Sequence, residues 1–152
     1  FTKIGGVHMI EETKVEYAKP IPLKTIDNAP YWDAADRHEL VLQKCTSCNT
    51  YAHPPGPACA HCGSQELVWE NRGTEISGTI YTYVVSYRPF LPGFENDMPL
   101  VIAVVELDEL PEVKIIGNVL EATVEQIDIG TPVKMVWQDI TEDRALPQWT
   151  LA

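Results

Sequence analysis

The sequence predicts a mainly β protein, with a short helix and a small metal-binding unit ahead of a five-stranded barrel. Two Cys-x-x-Cys pairs in the first half of the chain predict the metal-binding unit. From Gly73 onward, short runs rich in β-branched and aromatic residues alternate with turns rich in Gly, Pro and Asp, which is typical of a small β barrel. Helix-start signals cluster near Asp27, so the helix is expected to begin there.

Composition divides the 152 residues into three zones. Residues 1–26 are predicted to be a tag remnant and an extended arm, residues 27–72 the helix with the metal-binding ribbon, and residues 73–152 the barrel with a C-terminal tail. The stretch Phe1–His8 resembles a cloning remnant, which makes Met9 the expected native start. No secretory signal block and no run of roughly 18 apolar residues is present, so a cytoplasmic protein is expected.

Local signals place the individual elements. Asp27 and Asn28 are good N-cap residues, and Pro30 suits the first helical turn because its missing N–H costs nothing there. The predicted strands are Leu40–Lys44, Glu66–Glu70, Thr79–Tyr87, Leu100–Leu107, Val113–Val119, Thr123–Ile127 and Val133–Trp137. The first two flank the cysteines, and the last five suffice for a closed barrel of the OB-fold kind.

The predicted metal ligands are Cys45, Cys48, Cys59 and Cys62. They form two Cys-x-x-Cys pairs separated by ten residues, and each pair places two thiolates on one tight turn. Two such turns make a tetrahedron of sulfur atoms, which zinc favours at about 2.3 Å per bond. Because all four coordination positions are then filled, the ion stabilises folding and leaves no open site for water or substrate. The pattern predicts a rubredoxin-like zinc ribbon.

Other interpretations of these cysteines are weaker. A mononuclear iron site of rubredoxin type uses similar ligand spacing, and spacing alone does not distinguish zinc from iron. A disulfide framework belongs to small secreted chains, and a redox-active Cys-x-x-Cys normally stands alone at a helix start. His53 and His61 lie near the cysteines. With four thiolates available, we expect both histidines to be exposed to solvent and not to be ligands.

Charge excludes two classes of partner. The chain has 22 acidic and 11 basic residues, a net charge of −11. From Gly73 onward, 13 Asp or Glu stand against 4 Lys or Arg, a net charge of −9. Binding to nucleic acid requires a cationic surface that displaces counterions from phosphate, and an anionic membrane has the same requirement. We therefore expect neither nucleic acid nor membrane as a partner.

The sequence shows no constellation that predicts catalysis by this chain. There is no fifth cysteine to serve as a nucleophile, and the acidic cluster of Glu106, Asp108 and Glu109 lies around a predicted turn, where carboxylates are usually solvated. No glycine-rich phosphate-binding loop is present outside the presumed remnant. We expect no catalytic residues.

Two apolar segments suggest binding. The stretch Arg88–Pro99 connects two predicted strands yet carries four large apolar side chains, where loops normally carry polar ones. These are Phe90, Leu91, Phe94 and Met98. They are candidates for contact with a partner protein or an acyl ligand, and the alternative is that the loop folds back onto its own barrel. The C-terminal stretch Leu146–Leu151 is a second apolar strip that could dock on a partner.

The order of these features resembles a known family. The residues that carry the resemblance are Tyr31-Trp32, the strand Leu40–Lys44, Cys45-x-x-Cys48, Pro54-Pro55, Cys59-x-x-Cys62-Gly63-Ser64, Leu67-x-Trp69 and Gly78-Thr79-Ile80-Tyr81-Thr82-Tyr83. They are similar to the zinc-ribbon plus OB-fold proteins long catalogued as a domain of unknown function and associated with acyl-CoA metabolism. The resemblance extends from about Ala29 to Pro147. The chain looks similar in particular to the small subunits of benzylsuccinate-pathway thiolases.

The resemblance implies an accessory role. Members of this family accompany thiolases and thiolase-like aldolases and form mixed complexes with them, in which the partner supplies the catalytic residues. The implied function is a non-catalytic subunit with a structural Zn²⁺, and a coenzyme A thioester, such as an aromatic succinyl-CoA derivative, is the ligand of the complex. One departure is Gly56, where many relatives have an arginine after the Pro-Pro pair.

Two further functions stay open at this stage. The chain could be a free-standing acyl-CoA-binding protein without an obligatory partner. It could also be a nucleic-acid-binding protein, because both ribbons and OB barrels often have that role, although fold alone does not fix function and the acidic barrel opposes it. The sequence does not identify the acyl group, the reaction direction or the stoichiometry.

Overall fold

The computed structural model describes residues 16–152, and its strands form two antiparallel sheets. The smaller sheet, in the order β2-β1-β3, consists of β1 (Leu40–Cys45), β2 (Tyr51–Ala52) and β3 (Leu67–Gly73). The larger sheet, in the order β6-β5-β4-β7-β8, consists of β4 (Ser77–Ser86), β5 (Leu100–Leu107), β6 (Lys114–Asn118), β7 (Pro132–Asp139) and β8 (Ala145–Leu151). The predictions for residues 1–15 lie outside the described part of the chain.

The predicted helix is present as α1 (Ala29–Ala35), with proline in its first turn. Asn28 occupies the N-cap position, but its side chain does not cap the helix. Its Oδ1 instead accepts the Thr25 N–H at 2.7 Å, which fastens the preceding arm to the helix start. Tyr31 is buried beneath α1 and joins the helix to the main hydrophobic core. Among the described residues no helix is long and apolar enough to cross a membrane.

The larger sheet buries one face, most regularly along β5. Along β5, Val101, Ala103 and Val105 are buried, while the residues between them are only partly covered. Ile80 on β4 and Val133 on β7 join the same core. A period of two is what a strand with one buried face requires, and it confirms the mainly β prediction.

One predicted strand is wrong. Thr123–Ile127 is not extended but contains a single 3₁₀ turn, Val124–Gln126. The Gln126 side chain accepts the Thr123 N–H at 2.9 Å, as in a capping box. This local hydrogen bond favours a turn over the extended conformation that the β-branched residues favour, and Ile127 is still buried.

The fifth strand of the larger sheet is instead β8, which contains the stretch Leu146–Leu151 that the sequence suggested as a docking strip. Its ladder with β7 runs from Val133 opposite Leu151 to Asp139 opposite Ala145. Trp149 is completely buried, so this part of the strip packs inside its own chain and is not available to a partner. Pro147 weakens the strand signal, since proline is tolerated only on edge strands, and β8 is an edge.

The two edge strands of the larger sheet meet without a full ladder. A single parallel bridge pairs Val119 with Trp149, and the Leu120 N–H donates to the Trp149 carbonyl at 2.7 Å. Gly117 on β6 makes this approach possible, because a Cβ there would lie 2.9 Å from Cδ1 of Trp149. The sheet therefore curls into a barrel that is only partly closed by hydrogen bonds.

We predict that Gly78→Ala destabilises the barrel by about 1–3 kcal/mol, the usual cost of overpacking. A Cβ at Gly78 would lie 2.7 Å from the backbone oxygen of Glu106 and would overlap the Val105 side chain. Gly56→Ala is the matched control, since its Cβ has no neighbour closer than 3.9 Å. Urea denaturation of both variants checks this, and equal stabilities would contradict it.

A group of hydrogen bonds and ion pairs centred on Asp36 joins the end of α1 to the start of β8. Asp36, at the end of the helix, accepts hydrogen bonds from the Ala145 N–H at 3.1 Å and from Nε of Arg144 at 3.3 Å. Lys24 donates to the other carboxylate oxygen at 2.6 Å. Burial alone would raise the pKa of Asp36, but the hydrogen bonds and the two cations outweigh it and lower the pKa below its ordinary value.

Asp36→Asn is predicted to cost about 1.5–3 kcal/mol of unfolding free energy, because hydrogen bonds to a charged group are lost in a poorly solvated site. The lowered pKa also fixes the pH dependence. The stabilisation by Asp36 is complete above the unfolded-state pKa of about 3.9 and is lost as the pH falls through the lower folded-state value. Unfolding curves between pH 3 and 7 check this. In the Asp33→Asn control, which removes a more exposed partner of Lys24, we expect a change of less than about 1 kcal/mol.

Candidate metal centre and binding surfaces

The two cysteine pairs lie on turns of matching geometry. The Asn49 N–H donates to the Cys45 carbonyl at 2.8 Å, and the Gly63 N–H donates to the Cys59 carbonyl at 2.8 Å. Asn49 and Gly63 both have positive φ, 60° and 78°, which suits asparagine and glycine better than other residues. Each turn therefore presents its two sulfur atoms to the same side.

The four sulfur atoms converge around one point. The Sγ atoms of Cys45 and Cys62 lie 3.7 Å apart, and those of Cys48 and Cys59 lie 3.6 Å apart. All four lie within 4.8 Å of one another. A tetrahedron with metal–sulfur bonds of about 2.3 Å has sulfur–sulfur edges of about 3.8 Å. The arrangement fits a four-coordinate ion and offers it no further position for water or substrate.

Hydrogen bonds from Thr50 favour the thiolate form of Cys48. The Thr50 hydroxyl lies 3.2 Å from the Cys48 sulfur. Together with the Thr50 N–H it lowers the pKa of Cys48 to about 5. A deprotonated sulfur is the form that ligates a metal.

The two histidines near the cysteines differ in environment. His61 is exposed, as expected, but the expectation for His53 is wrong. The turn after β2 folds back under α1, so that the His53 ring lies 5.0 Å from that of Tyr31 and its Nδ1 is buried without a hydrogen-bond partner among the described residues. Burial lowers the pKa of His53 to about 4, so the ring is neutral at pH 7.

His53 borders a groove of about 440 Å³ between the ribbon and the barrel. The groove is lined by Asn28, Tyr31, Trp32, His53, Pro54, Pro55, Lys114, Ile116, Leu146, Pro147 and Gln148. A mostly apolar lining with a few polar groups is typical of ligand pockets of this size. The groove was not predicted from the sequence, because its lining comes from four separate segments. The adjacent Tyr31-Trp32 and Pro54-Pro55 pairs were the available signal.

The four loop residues separate into two groups. Phe90 and Leu91 point outward, and Phe90 is 88 % exposed. Phe94 and Met98 are partly covered. The Lys19 ammonium of the arm lies 5.0 Å above the Phe94 ring. The first half of the loop is therefore a free apolar surface, whereas the two large apolar side chains of the second half are partly covered by the rest of the chain.

A cysteine-rich ribbon joined to a five-stranded, partly closed barrel defines a zinc-ribbon and OB-fold protein. Two family models agree: "ChsH2, rubredoxin-like zinc ribbon domain" matches residues 32–68, and "ChsH2, C-terminal OB-fold domain" matches residues 75–138. Together they match more than half of the chain. The protein belongs to this ChsH2 family, also called DUF35, which confirms the resemblance and the fold class predicted from the sequence.

Similar proteins carry several descriptions. A "Probable enoyl-CoA hydratase alpha subunit" of Thermomonospora curvata is 38 % identical over 136 residues, which is 90 % of this chain and 41 % of that protein. The chain thus spans about two fifths of that relative. A "DUF35 domain-containing scaffold protein" of Methanocaldococcus jannaschii is 32 % identical over 71 % of this chain and 74 % of its own length. A solved structure, "Ltp2-ChsH2(DUF35) aldolase", matches with a TM-score of 0.75 and 36 % identity, covering 86 % of this chain and 98 % of that one.

Proposed function

We propose that this chain is a non-catalytic accessory subunit of a thiolase-type enzyme that cleaves or forms C–C bonds in acyl-CoA thioesters. The observation that carries the proposal is the likeness to a chain in a structure described as an "Ltp2-ChsH2(DUF35) aldolase". The match covers 98 % of that chain. The scaffold description of the archaeal relative points the same way. The bonds are made and broken by residues of the partner, and this chain supports assembly and the fit of the substrate.

The metal in this proposal is a structural Zn²⁺ held by Cys45, Cys48, Cys59 and Cys62. Four thiolates at tetrahedral spacing suit zinc and complete its coordination. The ion keeps the two knuckles folded against each other, and it takes no part in the reaction. Reduced thiolates of this kind suit a cytoplasmic location.

The acyl part of the substrate is the part that this chain is equipped to contact. Phe90 and Leu91 are exposed apolar groups. The groove between the ribbon and the barrel, here called the ribbon groove, adds the aromatic side chains of Tyr31 and Trp32. An aromatic acyl group, such as an aromatic succinyl-CoA derivative, suits both surfaces.

The partner is expected to hold most of the nucleotide of coenzyme A. The barrel zone has only four Lys or Arg. Lys114 pairs with Glu106 at 3.3 Å, and Arg144 pairs with Asp36. Within the described residues, this leaves Arg88 and Lys134 as barrel cations without an ion pair, too few for several phosphate charges.

Calorimetric titration of the isolated chain separates this function from a free-standing acyl-CoA-binding protein, which the size of the groove also favours. The accessory role predicts no saturation by an aromatic acyl-CoA below about 1 mM without the partner. Saturation in the micromolar range would favour the free-standing binder. A parallel fluorescence titration with an oligonucleotide at low salt is expected to show no binding, and binding there would favour the nucleic-acid alternative.

A further inference from the structure

The outer face of the larger sheet carries an apolar patch on β4, β5 and β6. In an antiparallel sheet with one buried face, the residues on the other face are usually polar. Here the outward positions of β5 include Ile102 and Val104, and Ile116 on β6 and Val84 on β4 face the same side. Val84 is 61 % exposed and Ile116 is 65 % exposed. Nothing in the described chain covers these two side chains.

The strand register makes these residues one patch. Val84 lies opposite Ile102, and Val104 lies opposite Ile116. Directly opposed residues of antiparallel strands have Cβ atoms about 5 Å apart, so their side chains touch. The apolar residues therefore form a diagonal band across three adjacent strands, flanked by Thr82 opposite Val104 and by Asn118 opposite Ile102.

The patch continues at both ends. On the β4 side, a shallow groove of about 460 Å³ extends over Val84 and Ile102 to Tyr87 and Phe90. On the β6 side, Ile116 also lines the groove between ribbon and barrel. We name as the outer apolar face the set Val84, Tyr87, Phe90, Ile102, Val104 and Ile116. It joins the exposed part of the loop to the ribbon groove.

Charge decides what covers this face. The barrel zone has 13 acidic residues, yet Glu106 is the one acidic residue among the outward positions of β5 and β6, and Lys114 pairs with it at 3.3 Å. Two copies of the chain would bring together two net charges of −11, which opposes a homodimer. An apolar surface on a different chain that does not carry this large negative charge suits the face better.

We propose that the outer apolar face is the surface on which the enzyme subunit docks. This inference rests on the proposed accessory function and assigns its contact surface. The loop residue Phe90 and the ribbon groove lie at the two ends of the interface, so docking also brings the two candidate acyl-contact surfaces to the edge of the partner.

Charge-insertion variants of this chain test the assignment. Their binding is measured to the enzyme subunit that is recovered with the wild-type chain from its natural source. Val84→Lys and Ile116→Lys each place a charge on the face, and Ile129→Lys is the control because Ile129 is 66 % exposed but lies in the turn before β7. All three side chains point into solvent, so the chain folds in each case, which circular dichroism verifies. Each face variant is expected to weaken binding of the enzyme subunit at least about tenfold, whereas the control binds like the wild type.

The outcomes separate this inference from the proposed function. Wild-type affinity in both face variants would overturn the inference and leave the accessory function standing. A chain recovered as a dimer that Ile116→Lys dissociates would show that a second copy covers the face, against the proposed occupant. A chain recovered alone as a monomer would contradict both proposals.

Discussion

Cys59→Ser is expected to abolish metal binding and to unfold the ribbon, the largest effect that we predict. Cys59 is buried, and its sulfur lies 3.6 Å from that of Cys48. Structural zinc contributes about 10–16 kcal/mol of apparent binding free energy in small zinc domains, and most of that is folding free energy. Elemental analysis of the purified variant and its thermal unfolding curve check the prediction.

His61→Ala is the matched control for the cysteine variant. His61 is exposed on the same knuckle, and in a four-cysteine site it is not a ligand. We expect this variant to retain one metal ion per chain, and the elemental analysis also distinguishes zinc from iron. A full complement of metal in Cys59→Ser, or its loss in His61→Ala, would contradict the assignment of the ligands.

Trp149→Ala is expected to cost about 3–5 kcal/mol of unfolding free energy, the usual range for a large buried aromatic residue. The indole is completely buried, and it packs where the edges of β6 and β8 meet. Its ring also lies against Gly117, where an added Cβ would come within 2.9 Å of the indole Cδ1. Guanidinium denaturation measures the change.

Ile129→Ala provides the comparison, since an exposed turn residue is expected to change stability by less than about 0.5 kcal/mol. If Trp149→Ala unfolded like the wild type and instead lost binding to a partner, the C-terminal stretch would be a docking strip after all. That result would contradict the placement of β8 in the core.

The metal centre could be predicted from the sequence because its geometry is local. Each pair of cysteines lies on one turn, and a residue suited to positive φ, Asn49 or Gly63, follows each pair directly. The strand Leu100–Leu107 was placed at its true limits for a similar reason, since a run rich in β-branched residues between Pro99 and the acidic pair Asp108-Glu109 leaves little freedom. The conformation of such segments is determined by residues that are close to one another in the chain.

The parts that could not be predicted depend on contacts between distant residues. Pro147 hid β8, because only its edge position makes proline acceptable there. The burial of His53 depends on how the turn after β2 meets Tyr31, and the ribbon groove needs both zones in place. The limits of the zones at residues 26 and 72 and the roles of the loop residues stay predictions.

The native mass of the untagged protein, purified under mild conditions from its own source, tests the accessory-subunit account most directly. Mass spectrometry of the intact species and then of its components gives both composition and stoichiometry. The account predicts a stable complex that contains this chain and a thiolase-like chain. A single species with the mass of one copy of this chain alone would contradict it.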